Sequence, residues 1–192
     1  VAQLVRRILK LAVYPGRHRR DCPVPAGWVP NVRALKAKEC LYPDEDAALL
    51  GCRDVPLIHR VAYGVLAREG MRTTELGNLT WNDVDLDRGR LRLDDNKTDD
   101  PRSWALRPDV VRALVTWQEI VDPADSNARI LSERGVALDV KYLARWLRRD
   151  LKRAGVTRPE LFERSATRQP IRAHDLRATF ITTNLAAGKS ET

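Results

Sequence analysis

The spacing of apolar residues changes once along this chain, between positions 81 and 106, and this change limits the folds that it can adopt. On both sides of the segment, apolar residues recur every three or four positions, as in amphipathic helices. Within it they alternate in short runs, separated by turn-forming residues at 87–89 and 94–101. The pattern predicts a mainly α protein with a small three-stranded antiparallel β-sheet (α+β). It places Lys97 in or beside the second turn of that sheet.

Helix signals flank the predicted sheet. A proline followed by three acidic residues at 43–46 predicts a helix start, because negative charge in the first turn interacts favourably with the helix dipole. A second helix is predicted from 56 to 68 and ends at Gly70, and a threonine at 73 or 74 is expected to cap a short helix after it. The expected buried stripe of the 56–68 helix is Ile58, Val61, Ala62 and Val65. Beyond the sheet, helices are predicted at 110–120, 140–154 and 173–187.

The first 35 residues differ in character from the rest. Residues 1–13 have helical periodicity, with Leu4, Ile8 and Leu11 on one face, and residues 14–30 contain four prolines and a basic cluster at 17–20. We expect residues 1–35 to be the end of a preceding domain plus a proline-rich basic linker, and residues 36–192 to form the main domain. The chain begins with valine and contains one methionine, so we also expect it to be part of a longer protein.

Composition excludes several classes of protein. The sequence is 43% hydrophobic and 31% charged, and no apolar run approaches the roughly 18 residues that cross a bilayer. Cys22, Cys40 and Cys52 are odd in number and lack C-x-x-C spacing, so neither a disulfide framework nor a zinc module is expected. Reduced thiols and the absence of a signal peptide favour a cytoplasmic protein without a metal.

The net charge of +8 is concentrated at the two ends of the sequence. Residues 1–40 hold nine Lys/Arg against two Asp/Glu, residues 41–135 hold thirteen against eighteen, and residues 136–192 hold twelve against six. Two basic regions around an acidic middle suit a protein that binds a polyanion from two sides. Solvated helix faces would give the same pattern, and charge alone does not decide between them.

The predicted helix at 140–154 contributes to this basic charge. Its apolar stripe is Leu143, Trp146, Leu147 and Leu151, and most of the remaining surface is covered by Lys141, Arg145, Arg148, Arg149, Lys152 and Arg153. Such a helix could follow a DNA backbone or could simply be solvated.

Four side chains are suited to phosphoryl transfer. Two planar guanidiniums, Arg72 and Arg177, could hold one phosphate and the charge that builds on it. Histidine is a residue type suited to proton transfer at neutral pH, a role that His174 could take, and Lys97 on a hairpin turn could donate a proton to a leaving oxygen. If 173–187 is helical, His174 and Arg177 share a face. Leu176 and Phe180 are then expected on the other side.

Each of these residues also has an ordinary interpretation. Arg72 could be a surface arginine paired with Glu69 or Glu75, which lie within three residues of it. His174 could cap its helix, and Lys97 could be a solvated turn residue. The separate residues therefore do not establish a site.

Taken together, the motifs resemble the catalytic domain of the tyrosine recombinases, the phage integrase family. The matching segments occur in the order 70–76, 79–85, 97–98 and 174–180. The resemblance implies that Arg72 and Arg177 bind the scissile phosphate, Lys97 protonates the leaving group and His174 assists proton transfer. It also implies double-stranded DNA as partner, self-association on DNA, a 3′-phosphotyrosine intermediate and no cofactor.

The sequence departs from the family pattern downstream of Arg177. The family has a second His or Trp and then a nucleophilic Tyr there, and this sequence ends at Thr192 before either. None of its tyrosines matches the nucleophile position; they are Tyr14, Tyr42, Tyr63 and Tyr142. We therefore expect a catalytic domain that is incomplete at its carboxyl terminus and preceded by little of the core-binding domain. Such a chain is expected to be unable to complete strand exchange alone.

Two other functions fit the same residues. A type IB topoisomerase-like enzyme would share the chemistry but relax supercoils rather than join two sites. A non-catalytic DNA-binding module would use the same cations only to hold phosphates.

Overall fold

The computed structural model describes residues 2–24, 39–94 and 101–188. The chain divides into two compact units, Val1–Leu35 and Lys36–Thr192. Helix α1, Ala2–Val13, is the predicted first helix, and its apolar residues Leu4, Ile8 and Leu11 are exposed. Residues 25–30 of the predicted linker lie outside the described residues. The assignment of the first unit to a preceding core-binding domain stays a prediction.

The described part of the second unit is mainly helical, as predicted. Its α-helices are α2 (Pro43–Gly51), α3 (Leu57–Glu69), α4 (Thr73–Asn78), α5 (Pro108–Val121), α6 (Leu143–Arg153) and α7 (Leu176–Ala186). Short 3-10 turns are found at Trp81–Asp83, Val140–Tyr142, Pro159–Leu161 and Ala173–Asp175.

The predicted sheet is present and has the order β1-β2-β3, with both pairs antiparallel. Its strands are β1 (Val84–Asp85), β2 (Arg90–Leu93) and β3 (Arg102–Ala105). Along β2, Leu91 and Leu93 are buried while Arg90 and Arg92 are exposed, which is the alternation that the sequence showed. Lys97, predicted in the turn between β2 and β3, lies outside the described residues.

A second hairpin was not predicted. It consists of β4 (Ser132–Glu133) and β5 (Val136–Ala137). Each strand has two residues, and both residues of β5 are exposed, so no alternation of apolar and polar residues marks it in the sequence.

Helix α3 lies at the centre of the hydrophobic core. Its predicted stripe of Ile58, Val61, Ala62 and Val65 is buried, which confirms that prediction. His59, Tyr63 and Leu66 are buried as well, because α2, α5, α6 and α7 all pack against this helix. Only a narrow stripe of α3 stays partly exposed, formed by Leu57, Arg60, Gly64 and Arg68.

A buried carboxylate connects α6 to α3. Asp150 is fully buried, and its Oδ2 lies 2.7 Å from His59 Nδ1 and accepts a hydrogen bond of 2.9 Å from the Tyr63 hydroxyl. The His59 ring stacks on Trp146, with the ring centroids 4.8 Å apart. Burial, together with the charge of Asp150, raises the pKa of Tyr63. The network fixes α6 on α3 and was not anticipated from the sequence.

Three predicted helix starts require correction. The N-cap of α4 is Arg72 rather than Thr73 or Thr74. The helix predicted at 140–154 begins with the 3-10 turn Val140–Tyr142, and the helix predicted at 173–187 begins with the 3-10 turn Ala173–Asp175. His174 therefore precedes α7, whereas Arg177 lies in its first turn.

Gly70 forms the junction between α3 and α4. Its backbone is left-handed, with φ of 61°, and its N–H bonds the Leu66 carbonyl, as at many helix C-termini. A Cβ at this position would overlap the ring of Phe180 on α7. Only glycine therefore satisfies both the conformation and the close approach of α7.

We expect Gly70→Ala to destabilise the protein by about 2–4 kcal/mol, because it combines left-handed strain with overlap on Phe180. Gly155→Ala is a matched control, since Gly155 is also left-handed, with φ of 77°, but has open space at its Cβ position. Its expected cost is about 1–2 kcal/mol. Urea unfolding of both variants measures the difference, and equal losses would show that the contact with Phe180 is unimportant.

Candidate functional site

Arg72 lies where α4 begins, two residues after the Gly70 turn. Its backbone N–H donates to Glu75 Oε2 at 2.7 Å, and its Nη1 donates to Glu75 Oε1, also at 2.7 Å. The ordinary interpretation of Arg72 as an ion-pair partner of Glu75 is therefore confirmed. The Arg72 side chain is still 35% exposed, so part of its guanidinium can be reached from solvent.

Glu75 binds a second arginine that the sequence analysis did not select. Arg102, the first residue of β3, donates from Nη2 to Glu75 Oε2 at 2.6 Å. Burial of Glu75, whose side chain is 5% exposed, favours the neutral acid. Hydrogen bonds from the Arg72 N–H and guanidinium and the charge of Arg102 outweigh this effect, so the pKa of Glu75 is lowered. Glu75 is therefore an ionised carboxylate between two arginines.

Arg177 reaches the same junction from α7. Its Nη1 donates a hydrogen bond of 2.7 Å to the carbonyl oxygen of Gly70, 107 positions earlier in the chain. The acceptor is two residues before Arg72. The fold thus brings the two predicted phosphate-binding arginines to one turn of the backbone, between α3 and α4.

His174 is exposed in the 3-10 turn that leads into α7. Within the described residues its side chain makes no hydrogen bond, so it does not cap the helix. Asp175 stabilises the turn instead, since its buried carboxylate accepts from the Arg172 backbone N–H at 2.9 Å and from the Arg172 guanidinium.

Contrary to our expectation from the sequence, Phe180 does not lie on the opposite side of the helix from Arg177. Both side chains meet Gly70: Arg177 at the carbonyl oxygen, and Phe180 at the position that a Cβ would occupy. Both also line the same cleft. Arg177 and Phe180 are three positions apart in α7, a spacing that places two side chains on the same face of a helix, so the expectation misapplied the helical period.

This cleft has a volume of about 610 Å³ and lies between β3 and α7. Arg102, Arg107 and Arg177 supply positive charge, while Ile181 and Leu185 supply an apolar wall. The cleft therefore combines cations with apolar surface beside the Gly70 turn.

An acidic residue that lines the cleft, Glu69, forms hydrogen bonds with two neighbouring residues. Glu69 accepts hydrogen bonds from Trp104 Nε1 at 2.8 Å and from the Arg107 backbone N–H at 3.1 Å. Burial raises the pKa of Glu69.

Four arginines of the described ranges line the cleft, and the sequence selected only Arg177. Arg102 and Arg107 were missed because strand β3 and the residues after it were interpreted only through alternating apolar residues. The available signal was position: Arg102 comes soon after the turn predicted at 94–101, and it pairs in register with Leu93 at the end of β2. The first residue of β3 is thereby attached to Glu75.

The basic side chains of α6 largely contact protein groups. Arg148 donates to the Ile171 carbonyl at 3.0 Å, and Arg149 and Arg153 each lie 3.3 Å from Asp150 Oδ1. The predicted apolar stripe is confirmed for Leu143, Leu147 and Leu151, which are buried. At least half of the basic residues on this helix therefore have a structural role.

In the described ranges, no group of three or more His, Cys, Asp or Glu residues is arranged to hold a metal ion. The three cysteines are free thiols. No helix within the part of the chain that the structure describes has the length and apolarity needed to cross a membrane.

Comparison with known proteins identifies the family. The sequence matches the model of the phage integrase family over residues 40–190. The chain therefore belongs to the phage integrase family. A comparison with curated protein sequences gave no match.

Solved structures of tyrosine recombinases share the fold. XerA recombinase matches with a TM-score of 0.65 and 23% identity, over 97% of this chain and 69% of that one. A lambda integrase dimer bound to a COC′ core site matches with 0.61 and 19%, over 94% and 63%. The Tn1549 transposon integrase in complex with a circular intermediate DNA matches with 0.66 and 20%, over 96% and 66%. This chain spans about two thirds of the length of each of these chains.

We expect Glu75→Gln to lower the stability of the protein at pH 7 by about 1–2 kcal/mol, because it removes the charge that both arginines bind. The folded-state pKa of Glu75 is below its ordinary value of 4.5, so its ionised form stabilises the fold above that pH. This contribution is lost as the pH falls through the lowered pKa. The difference between wild type and variant should therefore shrink on acidification.

Urea unfolding at a series of pH values measures this effect. Asp85→Asn is the control, because the pKa of Asp85 is also lowered by hydrogen bonds from Arg88, but this pair is exposed to solvent. Its effect should be smaller at every pH. A pH-independent loss in Glu75→Gln would contradict the ionised state assigned to Glu75.

Proposed function

We propose that this chain is the catalytic domain of a site-specific DNA recombinase in which Arg72 and Arg177 bind the scissile phosphate. The observation that carries the proposal is the hydrogen bond from Arg177 to the Gly70 carbonyl, two residues before Arg72. Membership of the phage integrase family supports it. A phosphate at this turn would meet two guanidiniums that come from distant parts of the sequence.

Both guanidiniums retain donors for such a phosphate. An arginine has five N–H donors, and the hydrogen bonds described above use one on each guanidinium. Non-bridging oxygens could therefore be bound without displacing Glu75 or the Gly70 carbonyl. As the phosphorus is attacked, negative charge builds on these oxygens, and two fixed cations stabilise it.

His174 and Lys97 would carry out the proton transfers. The exposed imidazole of His174 is three residues from Arg177 and makes no hydrogen bond within the described ranges, so it is free to exchange a proton with the reacting groups. Lys97 would donate a proton to the leaving 5′ oxygen. The role of Lys97 rests on the family resemblance and on its position in the sequence between β2 and β3.

The reaction would proceed through a 3′-phosphotyrosine. A tyrosine oxygen would attack the phosphorus, the bond to the 5′ oxygen would break, and that oxygen would leave as a hydroxyl. The enzyme link retains the ester bond energy, so rejoining would need neither a metal nor a high-energy cofactor.

We propose that none of the described tyrosines of the second unit is the nucleophile. Tyr63 donates to buried Asp150 and has a raised pKa, which disfavours the phenolate. The Tyr42 ring lies beneath the Arg158 guanidinium, 4.3 Å from its central carbon, and Tyr142 packs against Trp146. None of these residues lines the cleft of Arg177. A tyrosine from another segment or another subunit would complete the site.

Duplex DNA is the proposed partner, with self-association on it. Lambda integrase has been solved as a dimer on a core site and as a tetramer on a Holliday junction. The basic ends of this sequence suit the same type of ligand.

We expect Arg72→Met and Arg177→Met each to weaken binding of a duplex oligonucleotide by about 5- to 20-fold, because each removes a charge-assisted hydrogen bond to phosphate. Fluorescence anisotropy over a range of salt concentrations measures this loss, and the salt dependence should become shallower. Arg112→Met on α5 is the control, since it removes an exposed arginine that neither bonds Glu75 as Arg72 does nor bonds the Gly70 carbonyl as Arg177 does. An equal loss in the control would indicate non-specific charge.

The covalent chemistry requires a separate test. On a nicked duplex, the 192-residue chain should form no covalent adduct, whereas an intact recombinase that contains it should. In that intact protein, Arg177→Ala should abolish formation of the covalent protein–DNA adduct. Arg177→Lys should retain only a small fraction of the wild-type adduct, because lysine lacks the planar fork of a guanidinium. Unchanged adduct formation in both variants would refute the assignment of Arg177. Absence of the adduct in the intact protein would favour a DNA-binding module, and plasmid relaxation without joining would favour a topoisomerase.

A further inference from the structure

Glu75 has more cationic partners than one carboxylate needs. Arg72 and Arg102 each donate one side-chain hydrogen bond to it, at 2.7 and 2.6 Å, and the Arg72 backbone N–H donates a third bond. With Arg72 alone, the pair would be electrically neutral and would attract an anion weakly. With Arg102 added, the cluster of three side chains has a net charge of +1, on the side of the fold where Arg177 also lies.

The position of Arg102 is set by contacts that do not involve Glu75. Its guanidinium lies over the Trp104 ring, 5.6 Å from the centroid, and Trp104 is fixed by its hydrogen bond to Glu69. The Arg102 Nε is buried and has no hydrogen-bond partner within the described residues. Burying an unsatisfied donor disfavours folding, so a purely stabilising role explains this arginine poorly.

We propose that Arg102 is a positioning residue that neutralises Glu75 and so leaves the Arg72 guanidinium available to bind a phosphate. This inference rests on the proposed function, because it concerns the same phosphate site. Arg102 acts on Arg72 through the shared carboxylate: Arg102 binds Oε2, and the Arg72 guanidinium binds Oε1. Without Arg102, Arg72 becomes the only side-chain counter-ion of a buried charge and is held by it.

The alternative is that Arg102 binds the phosphate itself, since it is 33% exposed and lines the cleft. The two roles differ in their dependence on Glu75. A positioning role requires the carboxylate, whereas direct binding does not. A double-mutant cycle between positions 102 and 75 therefore separates them.

The cycle compares duplex DNA binding by the wild-type chain, Arg102→Met, Glu75→Gln and the double variant, by anisotropy at one salt concentration. We expect Arg102→Met to weaken binding by roughly 3- to 10-fold in the wild-type background and by less than about 2-fold in the Glu75→Gln background. Equal losses in both backgrounds would overturn the positioning role in favour of direct contact.

Arg92→Met is the matched control. Arg92 lies on the adjacent strand β2 and pairs with exposed Asp94 instead of Glu75. Its removal lowers the charge of the sheet equally and should change binding by less than about 2-fold in either background. A loss equal to that of Arg102→Met would overturn the inference.

Two further measurements separate positioning from folding. The side-chain Nε–Hε NMR signal of Arg72 should shift in Arg102→Met and stay in place in Arg92→Met. Arg102→Lys, which keeps the charge and should fold where the methionine variant is unstable, should restore most of the DNA affinity. An unchanged Arg72 signal, or an Arg102→Lys variant as weak as Arg102→Met, would contradict the inference.

Arg72→Met distinguishes this inference from the proposed function. If Arg72→Met weakens binding and Arg102→Met does not, the positioning role is wrong and the phosphate site stands. If Arg72→Met leaves binding unchanged, both are wrong.

Discussion

The structure depends on a contact that is repeated at its helix starts: a carboxylate accepts the backbone N–H of the residue three positions before it and also binds a guanidinium. Glu75 does this at α4 with Arg72 and Arg102. Asp175 does it before α7 with Arg172. In both places the acid satisfies a backbone donor that the helix cannot, and at Glu75 the hydrogen bonds and charge of its partners lower the pKa of the carboxyl despite its burial.

At α2 the same contact joins distant parts of the chain. Glu45 accepts the Tyr42 N–H, and both of its oxygens accept from Arg158, at 2.7 and 2.8 Å. Burial disfavours the charged form of Glu45, but the bonds from Arg158 and Tyr42 prevail and its pKa is lowered. Since Arg158 is 113 positions away, a local cap also fixes tertiary structure. At α4 this arrangement places a cation where a phosphate is proposed to bind.

The sequence predicted the features of the fold that depend on residues close together in the chain. The three-stranded sheet and the positions of the helices follow from alternation, helical periodicity and turn residues. The family motifs selected Arg72 and Arg177, and the fold brings both to the Gly70 turn. The sequence did not predict tertiary contacts, because periodicity identifies the buried face of a strand or helix but not the residue that contacts it. Arg102 was missed for this reason. Phe180 was placed on the wrong side for a different reason, since its three-residue spacing from Arg177 already puts both side chains on one face of a helix.

Gly70 has a consequence for how this sequence can diverge. Its missing side chain makes room for Phe180, and its carbonyl receives Arg177 from the same helix. Positions 70 and 180 are therefore constrained as a pair: a larger residue at 70 also needs a smaller side chain at 180, and even then it keeps the strain of the left-handed backbone. A smaller side chain at 180 would empty space next to Arg177 and loosen it. A single substitution at position 70 is thus disfavoured by both the backbone conformation and the contact with Phe180. At Gly155, which has open space at its Cβ position, only the left-handed backbone disfavours substitution.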